Sequence, residues 1–208
     1  MKEIKNCFSD RAPGIMGQKK SYSILVPLFQ SSRGWELVFE KRAENITQPG
    51  EVSYPGGSVE PGETPADAAL RETMEELGIP YSEMELWGPL DILPFYDGVV
   101  LYPYIGRINI SSLSELNPNP DEVSSVFSVP LSYFMDNLPN IYHLPLKVDL
   151  TEDFPYEHIP GGKSYPWRRG KDLIRFYFTD DAIIWGLTAR ITENVVKIIN
   201  KSHLWERR

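Results

Sequence analysis

Between residues 60 and 76 the chain carries Glu60, Glu63, Asp67, Glu72, Glu75 and Glu76, with Arg71 as the only basic residue. Carboxylates this close repel one another. On a helix turning about 100° per residue, Glu72, Glu75 and Glu76 fall on one side, and Glu72 and Glu76 stack one turn apart. Two arrangements tolerate such a face. It can be solvated, or it can take a hard divalent cation, which prefers oxygen ligands. The preceding stretch "YPGGSVEPGE" adds weight to the second, because glycines let backbone approach a ligand closely. Glu63 sits just before the helix and Arg71 two turns into it, so an ion pair between them would pin the loop to the helix.

The elements that must hold these residues are legible nearby. Thr64 is an N-cap type, Pro65 suits the first helical position, and Asp67 follows three residues beyond the cap. Gly78 serves as a left-handed C-cap and Pro80 blocks continuation, so the spacing predicts a helix over 65–77. Ala66, Ala69, Leu70, Thr73 and Leu77 form its packing side. Upstream, "SYSILVPLFQ" and "WELVFEKR" read as strands joined by "SSRG". Downstream, "LWGPLDILPF" and "VVLYPYIGRINI" read as strands around a turn at Asp97-Gly98. "SSVFSVPLSYFMDNL" reads as a strand leading into a helix, and "IYHLPLKVDL" as a further strand. Residues 151–171 read as a long loop and "DLIRFYFTD" as a strand. The run 181–203 reads as a terminal helix with apolar spacing at Ile184, Leu187, Ile191 and Val195. Strands alternating with a few helices give an α/β class. The expected division is a polar arm over 1–20 and a single domain over 21–208.

Composition narrows the function classes. A formal net charge of −8 argues against a nucleic-acid partner, which needs a basic face. No apolar run reaches the ~18 residues that span a bilayer, so no membrane partner is expected. The N-terminal residues lack an apolar signal core, and Cys7 is the only cysteine, which together suggest a reducing, cytoplasmic setting. His143, His158 and His203 are scattered without zinc spacing. Glu122 and Glu157 fall in expected loops, where either could serve as a supplementary base. A homodimer is compatible with the sequence.

The stretch from Gly57 to Ile79 resembles the Nudix box. Gly57 is followed by five residues and Glu63. Seven more lead to Arg71-Glu72, then Thr73, Met74, Glu75-Glu76, Leu77, Gly78 and apolar Ile79. Thr73 stands where an aliphatic residue is usual, and its methyl group can still face a core. The resemblance implies an α/β/α sandwich with a central mixed β-sheet, a catalytic loop-helix and a C-terminal helix. It implies hydrolysis of a nucleoside diphosphate linked to another group, with Mg²⁺ or Mn²⁺ as cofactor. Glu72, Glu75 and Glu76 match the family's metal ligands, and Gly57, Glu63 and Arg71 complete its catalytic motif. A Nudix-like binding domain without catalysis would lack such glutamates, and this chain keeps them.

Further stretches resemble the coenzyme A diphosphatase branch. They include Arg42, Ile46, Gly50, Val52, Tyr54, Pro55, Gly56 and Gly57 upstream, and "IIWGLTARI" near the C-terminus. That branch usually carries a His shortly before Gly50, where this chain has Gln48-Pro49 and is one residue shorter. If the branch applies, water cleaves coenzyme A into 3′,5′-ADP and 4′-phosphopantetheine. Arg42, Arg168 and Arg169 are candidates to meet phosphates, and Tyr165 and Trp167 to flank the adenine. The alternative substrates are ADP-ribose, a dinucleotide or a nucleoside triphosphate.

Overall fold

The computed structural model describes residues 2–202, and His203 lies outside them. The core is a mixed sheet built on β1 (Lys20–Ser31). On one side β1 pairs antiparallel with β2 (Gly34–Arg42), through the expected turn, and on the other it runs parallel to β7 (Val99–Ile108). The order β3-β2-β1-β7-β5 places β3 (Val52–Ser53) and β5 (Met84–Pro89) outermost on this path. The short β4 (Gly56–Ser58) also pairs with β1, β6 (Leu93–Pro94) with β7, and β8 (Val123–Pro130) with β2.

Both faces of this sheet are covered, so its central strands are apolar almost throughout. One face packs Phe29, Val38 and Ile108 against Leu77 and Ile79, at the end of α2 (Pro65–Leu77). The other packs Val26, Leu28, Leu37 and Phe39 against α3 (Leu131–Asp136) and α4 (Gly186–Ser202). Helices on both sides of a mixed sheet are the sandwich the sequence led us to expect. Beside α4 lies a second sheet, in which β10 (Gly170–Phe178) is flanked by β9 (Asn140–Leu146) and β11 (Ile183–Trp185).

Two elements differ from the sequence reading. Residues Ile183–Trp185 are a strand paired with Phe176–Phe178, so the last helix starts at Gly186, not at 181. Ile184 matches helical spacing and β alternation equally well. Pairing with β10, across a turn of four residues, decides the matter in favour of the strand, and Gly186 at φ +61° turns the chain into the helix. At the other end, Lys2–Ser9 forms a helix, α1, inside the segment read as a polar arm.

Candidate active site

The site grows from the start and face of α2. Thr64 accepts a hydrogen bond from the Asp67 N–H at 3.2 Å, and Gly78 closes the helix at φ +65°. The buried Ser23 hydroxyl donates to the Pro65 carbonyl, which fixes the first helical turn on β1. The Thr73 hydroxyl, fully buried, donates to the Ala69 carbonyl at 2.7 Å. A threonine is therefore tolerated at an aliphatic position because its polar atom is satisfied within the helix.

The glycine turn lies directly on the acidic helix. A Cβ on Gly57 would stand 2.3 Å from the Glu72 carboxyl carbon, so only glycine lets that carboxylate occupy its place. The Gly56 N–H donates to Glu76 Oε2 at 2.7 Å. The turn is held from behind as well. The buried Tyr54 hydroxyl meets Thr192 at 2.7 Å, and Thr188 donates to the Val52 carbonyl at 2.8 Å, both from α4.

Arg71 is the hub of the loop. Its guanidinium donates to both oxygens of Glu63, at 2.9 and 3.1 Å, and to the Ser58 carbonyl at 3.0 Å. The expected Glu63–Arg71 pair is thus present, and it holds the Glu63 carboxyl below its usual range. Arg71 also reaches Glu72 at 2.8 Å and Glu75 at 3.1 Å. The three box glutamates have unlike surroundings. Glu76 is buried, Glu72 is largely covered, and the Glu75 side chain is 47% exposed.

Glu40, from β2, is the residue sequence reading missed. It is 1% exposed, accepts from Ser53 at 2.9 Å, and leaves its second oxygen buried without a partner. Burial, joined by repulsion between the two carboxylates, pushes Glu76 well above the ordinary range. Burial pushes Glu40 up as well, against the pull of Ser53 and Arg42. Glu72 is also raised, first by burial. Glu122 adds negative charge toward all three. A signal for Glu40 exists in the strand itself. Glu36, Val38 and Glu40 share a face by alternation, and Val38 packs with Leu77 of the acidic helix.

Glu72, Glu76 and Glu122 open into a cleft of about 700 Å³, which Glu40 does not line. Arg42 and Gln48 add to its polar lining, and Tyr22, Phe95, Leu101, Trp185 and Leu187 are among its apolar and aromatic lining. Among the described residues, no three His, Cys, Asp or Glu side chains are already gathered around one metal-sized point. The donor chemistry nonetheless fits a hard divalent cation. Several carboxylates are held together against their repulsion, and one buried oxygen of Glu40 lacks a partner.

Residues 19–144 match the NUDIX domain family. The chain belongs to that family. Curated relatives agree in kind. Human mitochondrial coenzyme A diphosphatase NUDT8 is 29% identical over 184 residues, which is 86% of this chain and 69% of the relative. Nudix hydrolase 3 of Caenorhabditis elegans is 36% identical over 181 residues, or 86% and 72%. Mouse peroxisomal coenzyme A diphosphatase NUDT7 is 36% identical over 135 residues, or 64% and 56%. A MutT/nudix family protein from Enterococcus faecalis superposes on 96% of this chain and 70% of its own at a TM-score of 0.50. At 16% identity, that likeness speaks for the fold alone. This chain is accordingly a Nudix hydrolase, and Nudix hydrolases generally use divalent metal ions.

Outside the Nudix box, the sequence-derived candidates divide. Arg42 lines the cleft and donates to the Thr47 carbonyl at 2.8 Å. Arg168 and Arg169 lie exposed on the long loop, away from the cleft lining. Trp167 and Tyr165 pack on each other at 5.0 Å between ring centres, in a cluster with Phe154, also apart from the cleft. Gln48, where the coenzyme A branch usually has His, lines the cleft in a left-handed conformation at φ +56°. Of the two loop acids, Glu122 faces the site, while Glu157 sits exposed beside His158.

Proposed function

We propose that this Nudix hydrolase cleaves the central diphosphate of coenzyme A or a close derivative, giving 3′,5′-ADP and 4′-phosphopantetheine. The observation that carries the reading is a single cleft lined both by carboxylates of the acidic helix and by large apolar and aromatic side chains. Coenzyme A combines the same two characters, with a charged nucleotide diphosphate joined to a long, uncharged arm. The names of the human NUDT8 and mouse NUDT7 relatives support the same substrate class.

Glu72, Glu76 and Glu75 would hold Mg²⁺ or Mn²⁺, with Glu40 and Glu122 alongside. The bound cation supplies charge neutralisation at the phosphate oxygens and a lowered pKa for water. Gly56 and Gly57 bring backbone against the acids, and Glu63 and Arg71 keep that loop closed. Arg42 meets a phosphate at the cleft wall. A carboxylate of the cluster, or Glu122 from its loop, takes the proton of the attacking water. Water adds across the P–O–P bridge, so one phosphate gains the hydroxyl and the other leaves with the bridging oxygen. Arg168, Arg169, Tyr165 and Trp167 would contact substrate only through movement of the long loop. The same reading takes 21–208 as one domain behind a 1–20 arm and places the protein in the cytoplasm, without nucleic-acid or membrane partners. Cell fractionation tests that address.

The second reading, another nucleotide such as ADP-ribose, is favoured by one departure, Gln48-Pro49 in place of the branch's His. A substrate panel with Mg²⁺ and Mn²⁺, with products identified by mass, separates the two. Coenzyme A consumed to 3′,5′-ADP and 4′-phosphopantetheine supports the first. Intact coenzyme A beside consumed ADP-ribose replaces it with the second.

A further inference from the structure

The second sheet has an outward face rich in exposed large side chains. Residues paired directly across antiparallel strands share a face. Ile174 pairs with Tyr142, Asp172 with Leu144 and Gly170 with Leu146. Phe176 pairs with Trp185, and Phe178 with Ile183. Ring contacts of Phe176 with Tyr142, Phe178 and Trp185, at 5.3 to 6.0 Å, place these side chains together. On the opposite face Tyr177 and Ile184 are buried in the core, so the aromatic face looks outward. Six large side chains stand there between 38% and 54% exposed: Tyr142, Leu144, Leu146, Phe178, Ile183 and Trp185. Asp172 is the one charged residue of these strands on that face.

We propose that this face is where a second copy of the chain docks. Aromatic side chains bury roughly 150–250 Å² each and Leu or Ile somewhat less, so three of each, about half exposed, present on the order of 500 Å². That is at the upper end for a monomer's patch and approaches the ~800 Å² each partner gives to a stable interface. Every residue of β9 is exposed, and among the described residues no strand lies along its outer edge. A two-fold axis would lay the face on its own image, the self-complementary contact of a homodimer. Charge argues against the other occupants. The near absence of charge from the face gives a charged partner or an anionic bilayer nothing to pair with, whereas a nearly uncharged face suits its own image. Trp185 belongs both to this face and to the cleft, so the interface meets the mouth of the site.

The test is the mass of the full chain in solution, by light scattering or sedimentation, over a series of protein concentrations. The expected mass is twice 23.8 kDa. Leu144→Glu, which lies outside the cleft, should give a particle of 23.8 kDa with an unchanged far-ultraviolet spectrum. Tyr142→Lys should do the same if the first variant folds poorly. A monomeric wild-type chain, or dimers that survive both substitutions, would overturn the proposal. So would wild-type chain that pellets with vesicles of mixed zwitterionic and anionic lipid while staying monomeric.

Discussion

Glu76 and Gly57 carry the sharpest expectations at the scale of single residues. Glu76→Gln keeps an oxygen for the Gly56 N–H while removing the charge. We expect it to lower metal-supported kcat by about 10²-fold or more. We also expect the metal-free variant to melt higher than wild type, because the buried charge disfavours the fold. A variant that loses activity by misfolding would instead melt lower, so the thermal scan separates the two causes. Gly57→Ala forces a methyl group onto the Glu72 carboxyl carbon. Glu72 can swing aside at little cost to the fold, so metal-supported turnover should fall while the melting temperature stays close to wild type. Equal activity in Gly57→Ala would mean that the closeness of loop and acid is irrelevant.

The loop and helix form the next scale. Arg71 ties Ser58, Glu63, Glu72 and Glu75 through one guanidinium. Arg71→Lys keeps the charge and loses the bidentate fork. Amide exchange over 57–63 should quicken in that variant while the core strands keep their protection, and kcat should drop. Unchanged exchange would show that Arg71 is not the clamp. Thr64→Ala should cost about 1 kcal/mol in chemical unfolding, the usual worth of an N-cap. These local features are also the ones the sequence disclosed. Thr64, Pro65 and Gly78 mark the helix ends by chemistry within a few residues of each other, and the helix spans 65–77 as expected. The wheel put Glu72, Glu75 and Glu76 on one face but could not tell them apart: Glu76 is buried against Gly56 and Glu40, whereas Glu75 is half exposed. Glu40 and β11 escaped notice for different reasons. Glu40 gains its meaning from Ser53 and Glu76, which other elements bring against it. In β11, Ile184 fits either period, and only the pairing with β10 tells strand from helix.

For the whole molecule the acid cluster makes a stability claim that depends on pH. Glu40 is raised to about 7 and Glu76 to about 9, against an ordinary 4.5. Both are raised, so the stability they contribute is present in full below the ordinary value and is lost as pH climbs through the raised ones. The metal-free protein should therefore melt progressively lower from about pH 5 to pH 9. Glu36 and Glu193 act in the opposite sense. Burial alone would raise them. Hydrogen bonds to Glu36 from Arg33, Ser31 and Ser128, and to Glu193 from Lys197 and Arg175, outweigh it and leave both lowered. Their stabilisation holds above the ordinary carboxylate range and is lost only in acid. A cation that binds the folded state alone adds stability by mass action. Mn²⁺ should thus raise the melting temperature most at the alkaline end, where the carboxylates are charged. A metal-induced shift that is the same at pH 5 and pH 8.5 would speak against the cluster as its site.

The most direct measurement is a crystal grown with Mn²⁺ and recorded at the manganese absorption edge. An anomalous peak in contact with Glu72 and Glu76, beside Gly57, is the predicted result. A peak only elsewhere on the protein, with those acids turned toward solvent, would contradict the central claim that they are gathered to hold a cation against a diphosphate.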